Sequence, residues 1–117
     1  VVNISSVGGL QPEPGLGWYN VTKAADAHLT RQLAYELGPK VRVNCLAPGL
    51  VKTDLARALW ESFGEQIAAR LPMKRLGEPE DVANIAAFLL SDAASWLTGQ
   101  VIAIDGGTTV LPSGGVG

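Results

Sequence analysis

Three short apolar runs, VVNIS at residues 1–5, VRVNCLA at 41–47 and VIAI at 101–104, do most to limit what this chain can fold into. Each is rich in β-branched residues and gives way to Gly, Pro or small polar residues, which is how a buried strand reads. Between them lie segments whose apolar residues recur at helical spacing. Strand, helix, strand, helices, strand is the alternation of an α/β sheet with parallel strands. Such strands need neighbours on both sides and cover on both faces. The chain opens on Val1, already a strand interior, with no methionine and no signal peptide. The expectation is therefore a piece of something longer.

The connecting segments are equally readable. GGLQPEPGLG is a loop by its Gly and Pro content. Residues 18–37 follow as a helix with Val21, Ala25, Leu29, Leu33 and Leu37 as its expected inward stripe, stopped by Gly38 and Pro39. Thr53 and Asp54 offer capping oxygens for a second helix over 55–70, with Leu55, Leu59, Trp60, Phe63 and Ile67 on one side. A third begins at EPED, where Pro79 suits the first turn, Glu80 and Asp81 complement the helix dipole, and Val82, Ile85, Ala86 and Leu89 face inward. The tail from residue 108 has no periodicity and is expected to be loose.

At 117 residues this is one domain at most, and 47% hydrophobic content is enough for a core. A net charge of −2 without a long basic run argues against a nucleic-acid or membrane-surface partner. No apolar stretch approaches the length of a bilayer span. The single Cys45 forms no internal disulfide, supplies no metal cluster and reads as a small buried hydrophobe. Neither GxGxxG nor GxxxxGK[ST] occurs, although a phosphate-binding glycine loop normally follows the first strand of this kind of sheet.

Chemistry concentrates near the start of the first helix. Tyr19 and Lys23 stand one turn apart on one face, with Cβ atoms about 5–6 Å apart. A phenol ordinarily titrates near pH 10, and lowering that by about three units needs about 4 kcal/mol of preference for the phenolate. One ammonium at ~4 Å in an effective dielectric of ~20 supplies about that much. The spacing is competent for proton exchange with a carbonyl oxygen, though such a pair is also common on exposed helix faces. Ser6, where the first strand yields to loop, lies at the strand end where α/β sheets bind ligands. It can donate to a substrate carbonyl, or simply form the turn before Gly8 and Gly9. Ser5 is equally available on composition.

Ser6, the loop and YNVTK resemble the Ser…Tyr-x-x-x-Lys signature of the short-chain dehydrogenases/reductases. VRVNCLAPGLVKTDL resembles that family's strand and Pro-Gly-x-x-x-Thr turn. RLGEPEDVANIAAFLLSDAASWLTGQVIAIDGG resembles its C-terminal helix, loop and last strand. Four blocks in order over residues 1–107 carry the resemblance, nearest to NADPH-dependent carbonyl reductases and 3-oxoacyl-reductase-like members. It implies the C-terminal part of a Rossmann-like, doubly wound parallel sheet in three αβα layers, using NADP or NAD to interconvert a carbonyl compound and an alcohol. Ser6 would position the substrate carbonyl, Tyr19 would be the proton donor and acceptor, and Lys23 would assist the tyrosine and hold the nicotinamide ribose. The turn at Pro48 and Gly49 would pass close to the ring. The backbone of Val51 and the side chain of Thr53 would hold the carboxamide, a role Thr53 can combine with helix capping. The family's relay asparagine belongs to an earlier helix, and Asn3, Asn20 and Asn44 stand at the wrong motif positions.

The resemblance further implies a homodimer or homotetramer, and a lid segment in which Trp60 would either meet an apolar or ring-bearing substrate or simply pack in the core. A cytoplasmic location is the default, since the chain ends in GGVG and not in a Ser-Lys-Leu-type address. The rival expectation is a truncated, non-catalytic relative that serves as an oligomerisation module. His28, about 180° around the helix from Tyr19, is expected to face away from the site. Asp105 reads as a turn residue, and Trp96 as packed at the approach to the last strand.

Overall fold

The computed structural model describes residues 1–112. Three parallel strands, β1 (Val2–Ile4), β2 (Asn44–Pro48) and β3 (Val101–Ile104), pair in the order β1-β2-β3. Helices α1 (Gly17–Leu37), α2 (Arg57–Arg70) and α3 (Pro79–Leu89) connect them. The central strand is the most deeply buried: Val43, Asn44, Cys45, Leu46 and Ala47 are sealed from solvent. Successive side chains of a strand point to opposite faces, so β2 needs cover on both. On one face Leu46 meets Leu89 and Ala94, with Val82, Ile85 and Ala86 packed around them. On the other, α1 lies against β1 and β2.

The second strand begins three residues later than its apolar run. Val43 N–H donates to Thr98 Oγ1 (3.1 Å), and Arg42 donates to the carbonyls of Leu97 and Ser91. These bonds bind the approach to β2 into the loop before β3 instead of into a ladder. Buried Asn44 completes the clamp, donating to Leu97 O (2.9 Å) and accepting from Gln100 N–H (3.1 Å). A buried amide with both ends bonded escapes the desolvation penalty of an unpaired one.

Helix α1 spans the expected residues but turns a different face inward. Asn20, Ala27, Thr30 and Ala34 are its buried positions, while Val21, Leu29 and Leu37 are exposed. Small side chains let the helix axis approach the sheet, and bulkier ones in their place force it away. Thr30 Oγ1, wholly buried, accepts from Asn3 Nδ2 and donates to Asp26 O, both at 3.0 Å.

Helix α2 starts at Arg57, two residues late, because Thr53 Oγ1 accepts from Ala56 N–H and Asp54 pairs with Arg57 at 2.7 Å. Its expected apolar side is largely open, with Leu55, Leu59 and Phe63 exposed. Helix α3 begins at Pro79 as expected, with Glu78 and Asp81 forming a reciprocal capping box. Trp96 is exposed instead of packed. The tail expected to be loose is ordered at its start, where Thr108–Val110 form a 3-10 turn, and residues 113–117 lie outside the described residues. No helix among the described residues is long and apolar enough to cross a membrane.

Candidate active site

Parallel strands deliver their carboxyl ends to one edge of the sheet, and ligands of open α/β folds bind there. Three chain segments emerge at that edge: Ser5–Ser6 from β1, the stretch beginning Pro48–Gly49 from β2, and Asp105–Gly106 from β3. The paired serines take different jobs. Ser5 is buried, and its Oγ donates to Lys23 O at 2.6 Å, tying the end of β1 to α1. Ser6 lines an open hollow, and its Oγ accepts from Gly8 N–H at 3.3 Å, which leaves its O–H to donate.

The turn after Ser6 is pressed onto α1. A Cβ added at Gly9 would lie 2.7 Å from Lys23 C, 2.8 Å from Ser5 Oγ and 2.9 Å from Ala24 N. Only glycine permits that approach. The serine-bearing turn and the lysine-bearing helix are thereby held in register.

Ser6, Tyr19 and Lys23 converge on this one hollow of about 500 Å³, together with Pro48, Gly49, Val51 and Thr53. Tyr19 is half exposed, and Lys23 Nζ lies 5.5 Å from the centroid of its ring. Asp26, one turn further on, pairs with the same ammonium at 3.7 Å. Pro79 and Val82 of α3 and Leu55 and Ala56 of the segment before α2 complete an apolar wall.

The loop after β2 is stiffened from both sides. Val51 bridges Gly77 in parallel, with Gly77 N–H donating to Leu50 O and Lys52 N–H to Gly77 O. A Cβ at Gly49 would stand 3.0–3.1 Å from Cα and Cβ of Asp105, so a side chain there would press on the end of β3. Asp105 accepts from Gly107 N–H (3.0 Å), Thr109 N–H (2.9 Å) and Thr109 Oγ1 (2.8 Å). Burial pushes its carboxyl up, but these bonds outweigh burial and hold it below the ordinary aspartate range. Thr53 Oγ1 caps Ala56 as an acceptor and keeps its proton to donate.

Trp60 is not brought into the hollow. Its Nε1 donates to Thr53 O at 2.9 Å, and its ring lies under Arg57 and Lys52, at 5.1 and 5.9 Å from the centroid. It lines a separate groove with Lys52, Glu61 and Lys74. The tryptophan braces the Thr53 backbone from behind, and Leu55 and Ala56 occupy the place expected for it. His28 is exposed and outside the hollow, and Cys45 is sealed within the central strand with its thiol pushed up by burial. Asp26, Ser5 and Gly9 are structural partners that sequence reasoning passed over or left undecided. The i,i+3 spacing of Lys23 and Asp26 was the one visible signal among them.

Chemically, the hollow sets a hydroxyl donor, a phenol and an ammonium around a space with an apolar wall. That grouping can hold a carbonyl oxygen and move a proton at it. Lys23, Pro48, Val51 and Thr53, the last with a free O–H, line the same hollow and could hold a flat ring bearing a carboxamide. A nicotinamide is such a ring.

Comparison with known proteins bears on the family and the fold. A family model described as Enoyl-(Acyl carrier protein) reductase matches residues 1–109. Human "Dehydrogenase/reductase SDR family member 4" is 49% identical over 111 residues, covering 92% of this chain and 40% of that protein. The structure of 4-hydroxyisoleucine dehydrogenase complexed with NADH matches with a TM-score of 0.88 at 36% identity, covering 93% of this chain and 46% of that one. The NADPH dependent reductase YwfH, involved in bacilysin biosynthesis, matches with a TM-score of 0.85 at 36% identity, covering 92% and 45%. The chain thus spans about two fifths of the length of the curated relatives it matches.

Proposed function

Because the chain belongs to the short-chain dehydrogenase/reductase family, we propose that it carries the proton-handling part of an NAD(P)-dependent oxidoreductase that interconverts a carbonyl compound and an alcohol. The observation that carries this reading is the convergence of Ser6, Tyr19 and Lys23 on one hollow at the carboxyl ends of the strands. In reduction, Ser6 O–H donates to the substrate oxygen and orients it. The Tyr19 phenol passes its proton to that oxygen as negative charge develops there. Lys23 stabilises the phenolate left behind and, with cofactor present, bonds its ribose. In oxidation the same proton returns to Tyr19. The nicotinamide, when bound, supplies or accepts the hydride at the carbonyl carbon. Val51 and Thr53 hold its carboxamide.

The apolar wall of Pro48, Leu55, Pro79 and Val82 supports a substrate whose carbonyl bears an apolar substituent, as a carbonyl reductase or 3-oxoacyl reductase would take. Either NAD or NADP fits this part of the site, and turnover with each identifies the one used. In the full-length protein, Tyr19→Phe is expected to lower turnover by about 10²-fold or more with little change in thermal melting. Near-normal turnover of that variant refutes the assignment.

A second reading, self-association, is supported by the outward face of α1, where Trp18, Val21, Leu29 and Tyr35 are exposed together. It is compatible with the first if the protein works as a homodimer or homotetramer, and it stands alone if the chain serves only as an oligomerisation module.

A further inference from the structure

The charge of Lys23 is divided. Its ammonium lies 5.5 Å from the Tyr19 ring centroid on one side and 3.7 Å from Asp26 Oδ2 on the other. The three residues stand at i, i+4 and i+7 along α1, one above another on the helix surface. The pair is partly shielded, with 24% of the lysine side chain exposed and 43% of the aspartate. The backbone at Asp26 is tied to the buried side of α1, where its main-chain carbonyl accepts from the wholly buried Thr30 hydroxyl.

No other carboxylate among the described residues pairs with Lys23. Among the described residues, Tyr19 and Lys23 are the only titratable side chains lining the hollow, and α3 contributes Pro79 and Val82 there. From the segment after β2, Lys52 pairs with Glu78 and Asp54 with Arg57. From the loop before α1, Glu13 sits against Gly8. From β2, the Cys45 thiol lies beneath, and Asp26 and Lys23 act on it with opposite sign.

We propose that Asp26 is a positioning residue that draws the Lys23 ammonium away from Tyr19, and so sets the pH range over which that phenol exchanges its proton with substrate. The physical basis is simple. A cation paired with a nearby carboxylate exerts a weaker field on a third group than the same cation alone. The inference rests on the oxidoreductase reading above.

The test is alcohol oxidation by the full-length protein, followed as a function of pH in three variants. Asp26→Asn keeps the side-chain shape but frees the ammonium. The rising limb of its pH–turnover profile is expected to move toward acid by about half a unit. Asp26→Glu restores the carboxylate and is expected to restore the wild-type profile. An Asn variant whose profile superimposes on wild type, or moves toward alkali, overturns the proposal, even if its melting temperature falls. Tyr19→Phe separates the two ideas. If it is inactive while the Asn profile is unmoved, the Asp26 assignment alone fails. If it turns over normally, the reading of the site fails and Asp26 with it.

Discussion

Two adjacent serines with the same chemistry do different work because one points under α1 and the other into the hollow. Ser5 Oγ is buried on the Lys23 carbonyl, and its replacement by alanine leaves that contact empty. Ser5→Ala is expected to cost about 1–2 kcal/mol of stability, read as a lower denaturation midpoint. Ser6→Ala is expected to leave the midpoint in place and lower turnover instead. If the two variants exchange these effects, the division between them is wrong. Composition left the choice between the serines open, since it depends on where β1 ends and which way its last residue points. Ser6, Tyr19 and Lys23 are legible as a set only through the family resemblance, since the Tyr–Lys spacing by itself is common on exposed helix faces. The bracing of Thr53 by Trp60 was not, because an indole N–H reaching back seven residues is a tertiary event.

At the scale of elements, the same periodicity that located α1 and α3 told the truth about only one of them. For α3 the apolar stripe Val82, Ile85, Ala86 and Leu89 is the face that packs on Leu46. For α1 the most hydrophobic stripe lies outside, and the buried face is made of Ala27, Thr30 and Ala34. Period identifies residues that share a face. Which face meets the sheet is decided by how closely the helix must approach it. The start of α3 also yields a pH prediction. Asp81 is held at about 2 by hydrogen bonds from Arg75 and from the Glu78 backbone. Its folded value lies below the unfolded one near 3.9, so its contribution is complete above that value and is lost as pH falls toward 2. Amide exchange at the first turn of α3 is expected to quicken across that interval in wild type. In Asp81→Asn it is expected to be fast already at neutral pH. Equal protection of wild type and variant at neutral pH contradicts the capping role.

For the whole molecule, the parallel direction of β1, β2 and β3 follows from the alternation of strands and helices, and the placement of their carboxyl ends at one edge follows from that direction. What alternation does not reveal is the exposed side of α1. Trp18, Val21, Leu29 and Tyr35 form an apolar face on a helix whose opposite side is already used. If that face joins copies of the full-length protein, Val21→Glu with Leu29→Glu is expected to shift its sedimentation to a smaller species. An unchanged sedimentation coefficient removes the face from the assembly. The contact between Gly9 and α1 bears on how this protein tolerates change. A saturation screen is expected to find Gly9 nearly as intolerant as Tyr19, although Gly9 carries no chemistry of its own. Sensitivity there reports main chain lying on main chain. It is the cost of keeping a hydroxyl and an amine, borne by different elements, at a constant separation.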